Sequence, residues 1–505
     1  MELHEGLRVR RINERPVDPA RQFVLYWMIA ARRPAWNFAL DRAIAWAESL
    51  RRPLVIFEPL RVDYPWASDR IHSFIIEGMR DNAGAFARGP ALYYPYIEPR
   101  SGASSGLLSA LAAEACLVVT DEFPCFFLPR MVSAVAGRVD VRLEAVDGAG
   151  ILPLRSTNRS YTAAVHFRRH VQKELRSHLL QFPSAEPFSR TSLSRMEALP
   201  DAIATRWPSA SAALSTGGVA AASALPIDHS VPPSPIEGGA VAAQRTLRRF
   251  VRYRLDHYHK AHNHPDLDGT SRLSPYLHFG HVSAHQVFNA VMHHERWSLA
   301  RLAGPANGAR EGWWGVGAGA EAYLDQLIIW RELALNTCWT RPEDYDKFES
   351  LPRWALDTLA RHASDPRPVT YSLSQLENAE TNDPLWNAAQ RQLRREGWFH
   401  NYLRMLWGKK ILEWSETPQD ALHAVRTIMD RWSLDGRDPN SYAGYFWTLG
   451  RYDRPWPERP IYGTVRSMSS ENTRKKVKVK DYLVRFGPGS AGEVPRQGNL
   501  LPMGE

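Results

Sequence analysis

A change in hydrophobic pattern part-way along the chain constrains the fold more than any other feature. In the first part, three apolar runs of strand length lie at 23–29, 53–58 and 115–121. Between them, the segments 36–51 and 70–88 have the periodicity of amphipathic helices. Strands that alternate with helices of this length predict β-α-β units and a parallel sheet. No G-x-G-x-x-G motif follows the first of these strands, so the pattern does not support an ordinary Rossmann dinucleotide site.

The composition changes between residues 184 and 239, where serine, alanine, glycine and proline are frequent and charges are rare. This composition is typical of a linker or a long surface connection. Beyond it helical periodicity dominates, with predicted helices at 242–258, 283–294, 321–338, 383–396 and 398–414. We therefore predict four parts, which are an α/β N-terminal domain with a parallel sheet at 1–183, a linker at 184–239, a larger all-α domain at 240–487 and a C-terminal tail at 488–505.

Composition also limits the functional class. No run of about 18 apolar residues occurs, and the first residues lack the apolar stretch of a signal peptide, so we expect a cytoplasmic protein without a membrane segment. Three cysteines are too few for a disulfide framework or a four-thiolate zinc site. The net charge of +9 favours polyanions such as nucleic acid, although an arginine-rich genome gives the same bias. The 18 tryptophans either fill cores or form aromatic surfaces for bases and planar cofactors.

The most specific local pattern lies at 258–280. Gly269 allows a tight turn, after which Thr270, Ser271 and Ser274 place hydroxyls and backbone N–H groups at the start of a predicted helix. Such a helix start suits a pyrophosphate, because it carries partial positive charge and unpaired donors. Taken as hydroxyls alone, these residues are more often an ordinary helix cap.

The complete pattern, Y-x11-T-S-x-L-S-P-Y-L-x-F-G, resembles the FAD-binding segment of the photolyase/cryptochrome family. Four later segments are similar to class II cyclobutane pyrimidine dimer photolyases, at 382–390, 403–414, 433–440 and 456–463. The resemblance implies an antenna-type α/β domain and a helical domain that encloses FAD. In such enzymes, light-excited reduced FAD donates an electron to a pyrimidine dimer that has been flipped out of UV-damaged DNA. No pattern in the α/β domain identifies a second, antenna chromophore.

The resemblance assigns a cofactor role to several residues. By position, the FAD phosphates would be held by Tyr258, Thr270, Ser271, Leu273 and Ser274. Arg404 and Asp435 match the charged pair beside the isoalloxazine, with Asn401 one turn before Arg404. Without the resemblance, an Arg–Asp pair is more simply a structural salt bridge.

The resemblance also separates the tryptophans into roles. Trp407, Trp386 and Trp414 fall on the positions of the tryptophan relay that photoreduces the flavin in class II enzymes. Trp407 and Trp414 share one face of a predicted helix, a pattern that more often reflects core packing. Trp330 and Trp447 match the aromatic walls of the lesion pocket, where stacking on thymine rings contributes about 1–3 kcal/mol per base.

Three sites depart from the family pattern. Gln326 replaces a glutamate that hydrogen-bonds the dimer, and Met429 replaces an asparagine that faces flavin N5. His262-Asn263 replaces the Arg-Asn tandem that clamps the dimer. Glutamine cannot release a proton, and methionine cannot hydrogen-bond comparably to asparagine.

These departures leave two functions open. One is dimer repair by a monomeric, DNA-binding photolyase. The other is a photolyase-like blue-light or redox sensor, or an altered photoenzyme, which in the sensor case would have a protein partner. The histidines at 257–264 and 293–294 could suggest a metal, but they overlap the FAD segment and lack paired cysteines, so we predict no metal site.

Overall fold

A single sheet forms the core of the N-terminal part. The computed structural model describes residues 6–490, and within this range six strands form one sheet in the order β1-β6-β5-β2-β3-β4. The strands are β1 (Val9–Arg11), β2 (Phe23–Trp27), β3 (Leu54–Leu60), β4 (Leu92–Ile97), β5 (Ala115–Glu122) and β6 (Leu143–Asp147). Strand β1 is antiparallel to β6, and every other neighbouring pair is parallel. The predicted α/β fold with a parallel sheet is confirmed.

Helices cover the sheet. They are α1 (Phe38–Leu50), α2 (Asp69–Phe86), α3 (Leu107–Glu114), α4 (Leu128–Ala136) and α5 (Ala164–His178). Strands β2 and β5 are buried along their whole length, which is why the sequence shows them as continuous apolar runs. The three predicted strands and two predicted helices of this part are all present, with ends within two residues of the expected positions.

The strand order reverses between β2 and β5, where sheets of this kind bind ligands at their carboxyl ends. Here one carboxylate oxygen of Asp121 accepts hydrogen bonds from the backbone N–H groups of Ile29, Ala30 and Ala31, at 2.7–2.9 Å. Its other oxygen accepts one from the Tyr26 hydroxyl at 2.7 Å. The donors after β2 are therefore already paired within the protein, in agreement with the missing glycine-rich motif.

The connection after α5 contains three short helices, α6 (Asp201–Arg206), α7 (Ser211–Ser215) and α8 (Gly218–Ser223). Ile203 and Trp207 are buried in the same apolar cluster as one face of the sheet. Helix α2 packs against both α8 and α9 (Gly239–Tyr253), so contacts cross the predicted boundary at residue 239. The four-part division of the chain stays a prediction, and the predicted tail lies outside the described residues from 491 onward.

The rest of the described chain is helical, as predicted. It contains α9, α10 (Tyr258–Ala261), α11 (Ser274–His278), α12 (Ala284–His294), α13 (Ala318–Leu324), α14 (Arg331–Thr340), α15 (Arg353–Arg361), α16 (Leu373–Glu377), α17 (Pro384–Glu396), α18 (Asn401–Trp414), α19 (Pro418–Trp432), α20 (Pro439–Trp447), α21 (Ser470–Lys476) and α22 (Lys480–Arg485). Short 3₁₀ turns lie between some of these helices.

Two predicted helices differ from the structure. The segment 321–338 is not one α-helix, because Asp325–Trp330 forms a π-helical turn between α13 and α14. The predicted helix at 242–258 ends at Tyr253, since the following turn packs against the backbone of Gly319. A Cβ atom on Gly319 would lie 2.0 Å from the Leu255 carbonyl oxygen, so only glycine permits this approach.

Candidate active site

The turn between α10 and α11 brings the predicted phosphate-binding residues together. Tyr258 opens α10 and is buried, with its ring stacked on the His262 imidazole at a centroid distance of 4.6 Å. The edge of the Tyr323 ring packs against it at 5.3 Å. Gly269 lies close against α10, because a Cβ there would be 2.4 Å from the Cβ of Ala261. Thr270 and Ser271 follow this turn directly.

The hydroxyls of this turn have distinct partners. The Ser271 hydroxyl acts to lower the pKa of Tyr323, and the Ser274 hydroxyl acts to lower the pKa of Asp435, so each lies close to that group. The Thr270 hydroxyl is buried and has no hydrogen-bond partner among the described residues. Burying a hydroxyl without a partner is unfavourable, so this group is suited to donate to a bound anion. The residues present therefore fit a phosphate-containing cofactor.

An ion pair lies beside this turn. One guanidinium nitrogen of Arg404, on α18, reaches both carboxylate oxygens of Asp435 at 2.9 and 3.1 Å. Burial alone would raise the pKa of Asp435, but Arg404 and the hydroxyls of Ser274 and Ser433 hold it below its usual value. Asn401 begins α18, and its side chain is exposed. The predicted pair is formed, and the nearby Ser274 hydroxyl belongs to the turn between α10 and α11.

Three tryptophans of α17 and α18 are in successive ring contact and are called the tryptophan stack. The rings of Trp407 and Trp386 are parallel with centroids 5.9 Å apart, and Trp414 meets Trp386 edge-on at 5.4 Å. The Trp386 indole N–H donates to the Trp407 carbonyl, and the Trp407 indole N–H donates to the Gln390 side chain, both at 3.0 Å. The three rings are buried and follow one another closely enough for stepwise electron transfer.

A tyrosine that the sequence analysis missed extends this stack. Tyr371 is half-buried and meets Trp414 edge-on at 5.2 Å. Its hydroxyl accepts a hydrogen bond from the Asn382 backbone at 2.9 Å. It precedes α16, outside the segments that resemble class II photolyases, so neither the resemblance nor helical periodicity pointed to it.

The predicted lesion residues lie on the π-helical turn and on α20. Gln326 and Trp330 are half-buried, whereas Leu327, Ile328 and Ile329 between them are buried. Helix α14 continues from Trp330 and packs against α20, which ends at the half-buried Trp447. π-Helical turns are rare and occur frequently at functional sites.

The other two departures from the family pattern are Met429, on α19, and His262-Asn263, which directly follow α10. Met429 is buried near the end of α19, and its carbonyl accepts a hydrogen bond from the Ser433 N–H at 2.9 Å, just before Asp435. His262 is half-buried with Nδ1 2.7 Å from the Tyr258 carbonyl, and burial lowers the pKa of its imidazole. His262 therefore does not supply the permanent charge of an arginine. Asn263 follows it and is half-buried.

A separate apolar cavity lies outside the carboxyl ends of β2 and β3. Its walls include Tyr64, Phe126, Phe127 and Phe279, with Arg437 at one side. These residues come from loops of both parts of the chain, and the sequence analysis did not identify them.

The arrangement of the described residues bears on metal binding and on membrane insertion. Within residues 6–490, no group of three or more His, Cys, Asp or Glu side chains is arranged to hold a metal ion. In the same range, no helix combines the length and the apolar character needed to cross a membrane.

The comparisons with known proteins identify the family. No family model matches the sequence. A deoxyribodipyrimidine photo-lyase of Methanothermobacter thermautotrophicus is 33% identical over 489 residues, which cover 95% of this chain and 98% of that protein. The chain therefore belongs to the photolyase/cryptochrome family. The family resemblance of the sequence is confirmed.

Further relatives agree with this family assignment. The deoxyribodipyrimidine photo-lyase of Oryza sativa is 31% identical, covering 91% of this chain and 86% of that protein. The enzyme of the same name from Potorous tridactylus is 31% identical, covering 93% and 82%. The crystal structure of a class III photolyase from Agrobacterium tumefaciens matches the fold with a TM-score of 0.66 and 16% identity, over 92% of this chain and 86% of that one.

Proposed function

We propose that this protein is an FAD-dependent class II photolyase, which uses light to transfer an electron from reduced FAD to cyclobutane pyrimidine dimers in DNA. The observation that carries the proposal is the convergence of three features on α18. The turn between α10 and α11 places the Ser274 hydroxyl close enough to Asp435 to lower its pKa, Asp435 pairs with Arg404, and Trp407 lies one turn beyond Arg404 on the same helix. A cofactor held at the turn would thus lie between a positive charge and the tryptophan stack.

The residues of the turn would bind and orient the cofactor. FAD would supply light absorption and a transferable electron when bound. The Thr270 hydroxyl, which is unpaired in the described structure, would donate to a phosphate oxygen. The Arg404 guanidinium would offset negative charge on the isoalloxazine, and Asp435 would hold that guanidinium in place.

The tryptophan stack would deliver electrons from the protein surface. Trp407, Trp386 and Trp414 would act in that order from the inside outwards, with Tyr371 as the half-buried end of the chain. The indole N–H groups of Trp407 and Trp386 donate to oxygen acceptors, which makes these rings easier to oxidise.

The substrate would be UV-damaged DNA, on which the family relatives act by name. Trp330 and Trp447 would stack against the flipped dimer, and Gln326 would hydrogen-bond a thymine carbonyl. The basic surplus of the chain supports binding to the phosphate backbone. The sensor alternative receives no support from these relatives, which are all named photo-lyases.

The α/β domain would contribute an antenna site at its apolar cavity. The apolar cavity beyond β2 and β3 has the aromatic walls that a planar second chromophore needs. Its position outside the carboxyl ends of parallel strands is also where ligands bind in such sheets.

A repair assay tests the proposed function. Pre-reduced protein is mixed with single- or double-stranded oligonucleotides that contain one dimer, exposed to blue light, and the remaining dimer is measured by chromatography. We expect repair by the parent protein that is at least about tenfold slower than by the Gln326→Glu, Met429→Asn double variant, because losing one preorganised polar contact costs about 3–4 kcal/mol in other enzymes. Samples kept in the dark are the control.

Two outcomes of this assay would contradict the proposal. Repair by the double variant but not by the parent would mean that the parent protein has lost the ability to repair dimers. Repair by neither protein would mean that the exchange at His262 prevents repair or that the protein acts on a different substrate.

A further inference from the structure

A buried lysine contacts the proposed wall of the lesion site. Lys409, on α18, is fully buried. Its Nζ donates to the carbonyls of Thr448 at 2.8 Å and Trp447 at 3.3 Å. The same Nζ lies 4.6 Å from the centre of the Trp447 ring. The charge of Asp453 raises the pKa of this ammonium, but within residues 6–490 no carboxylate forms a direct ion pair with it.

Burial of this ammonium needs an explanation beyond packing. Taking a positive charge out of water without a paired carboxylate is costly, and a methionine would fill similar space without that cost. The contacts of Lys409 supply a reason, because the last carbonyls of a helix lack intrahelical partners and favour a nearby cation. The ring face of tryptophan also attracts a cation, most strongly where both groups are shielded from water. Both interactions restrain the end of α20 and its terminal indole.

We propose that Lys409 is a positioning residue for Trp447, whose indole it fixes as a rigid wall for the pyrimidine dimer. The inference rests on the proposed function, since it takes Trp447 as part of the lesion site. Lys409 does not touch the substrate, because it is buried beneath the indole. Its influence therefore falls on recognition of the lesion and not on general affinity for DNA.

The charge of Lys409 makes this contact sensitive to pH near neutrality. Burial lowers the pKa of Lys409 to about 7, with Arg466 adding to the decrease and Asp453 opposing it. The lysine is therefore charged at pH 6 and neutral at pH 8.5, and the cation–π contact is present only at the lower pH. The groups that surround it are Asp453 and Arg466 from the segments after α20, Tyr462, whose hydroxyl donates to the Lys409 carbonyl, and Glu413 of α18.

A second cation near Trp447 provides an internal reference. The Arg466 guanidinium lies 5.9 Å from the Trp447 ring centre. Arginine keeps its charge throughout the neutral range, so it contributes no change between pH 6 and pH 8.5. Glu332 of α14, which packs against α20, also has a pKa raised to about 7 by burial, so a pH-dependent signal at Trp447 reports Lys409 only where it is lost in Lys409→Met.

The direct test is fluorine NMR of the full-length, flavin-loaded protein labelled with 5-fluorotryptophan and kept in the dark. The Trp447 resonance is assigned by its loss in Trp447→Phe. We expect it to shift between pH 6 and pH 8.5 with a midpoint near 7 in the parent and in the neighbouring control Lys410→Met. The shift should disappear in Lys409→Met and in Lys409→Arg, which keeps its charge. A parent resonance that does not titrate, or one that titrates equally in Lys409→Met, overturns the proposal.

The consequence for recognition is measured by dark binding at pH 6.5 to a single-stranded oligonucleotide with one dimer and to its undamaged counterpart. Lys409→Met should weaken dimer binding by about tenfold, the effect of losing about 1.4 kcal/mol, and leave undamaged binding unchanged. Lys409→Arg should bind within about twofold of the parent. If Lys409→Met does not fold, the fluorine NMR titration and the DNA-binding measurement are both made on Lys409→Arg.

A double variant separates positioning from a general structural effect. Lys409→Met combined with Trp447→Phe should bind the dimer no more weakly than Trp447→Phe alone, because both changes remove the same contact. Further weakening in the double variant would overturn the proposal. If the parent does not prefer dimer-containing DNA, the proposed function fails instead, while the fluorine experiment still decides whether Lys409 controls Trp447.

Discussion

At the scale of the residue, the unpaired Thr270 hydroxyl gives the sharpest test of the cofactor site. Its oxygen is buried without a partner, a state that costs about 1–3 kcal/mol and that a phosphate oxygen would relieve. Thr270→Val keeps the shape and removes the donor. We expect the variant to retain less FAD after purification, whereas the stability of the flavin-free protein is unchanged or slightly higher.

The measurement is the ratio of flavin absorbance to protein, together with denaturant-induced unfolding of the flavin-free form. Thr216→Val, at an exposed position, is the matched control. Equal flavin content in Thr270→Val and the parent would mean that the turn is only a helix cap.

Most residues of the candidate site could be predicted from the sequence, but few of their partners could. The family resemblance pointed to Thr270, Ser271 and Ser274 because their spacing is local. It did not predict that Ser271 meets Tyr323 or that Ser274 meets Asp435, because those partners lie about 50 and 160 residues further along the chain. Contacts of this kind depend on how helices pack, which local periodicity does not encode.

At the scale of the element, α18 connects the cofactor site to the tryptophan stack. Trp407→Phe removes the indole next to Trp386 while keeping an aromatic ring of similar shape. Since phenylalanine is a poor electron donor, we expect photoreduction of the bound flavin by an external reductant to fall by at least about tenfold without loss of flavin. Spectra recorded during blue-light exposure measure this.

The control for this variant is Trp432→Phe, which alters a buried tryptophan outside the stack. The two variants should differ in photoreduction rate but not in flavin content. If Trp407→Phe is photoreduced as fast as Trp432→Phe, the stack is core packing only.

The π-helical turn marks where element prediction from sequence fails. The apolar pattern of 321–338 fits a single α-helix, because a wider turn of six residues changes the phase too little to be detected. Tertiary contacts stabilise the wider turn, since the Asp325 carboxylate accepts two hydrogen bonds from Arg168 of α5, at 2.8 and 2.9 Å. The same turn carries Gln326 and Trp330, so the prediction of a single α-helix fails at the candidate site. Functional sites are where the rules that relate sequence to local structure are most often broken.

At the scale of the whole molecule, a pair of adjacent side chains ties the helical part to the sheet. Glu332, on α14, accepts hydrogen bonds from the backbone N–H groups of Ile151 and Leu152 at 2.6 and 3.0 Å, in the loop after β6. Its neighbour Arg331 donates to the Ala149 carbonyl of the same loop at 2.8 Å. Both side chains directly follow Trp330, so this contact between the two parts also fixes the position of the proposed lesion wall. No sequence pattern predicted it.

This contact predicts a pH dependence of stability. Burial raises the pKa of Glu332 to about 7, against the opposing effect of the two backbone donors and of Arg331 and Arg8. The unfolded value is about 4.3, so between these pH values the folded protein binds one more proton than the unfolded chain. The free energy of unfolding should therefore fall as the pH rises from about 4.3 to 7, by about 4 kcal/mol from this group. The stabilisation is complete below pH 4.3 and is lost above pH 7.

Glu332→Gln stays neutral at every pH and isolates this effect. From pH 5 to pH 8, we expect the unfolding midpoint in denaturant, followed by tryptophan fluorescence, to fall further in the parent than in this variant. Glu343→Gln, at an exposed position, should follow the parent. The sign of the difference is the critical result, because a paired surface carboxylate would make the parent gain stability over the same range. Parallel pH profiles for the parent and Glu332→Gln would mean that Glu332 ionises normally, and the contact between α14 and the sheet would then be an ordinary set of hydrogen bonds.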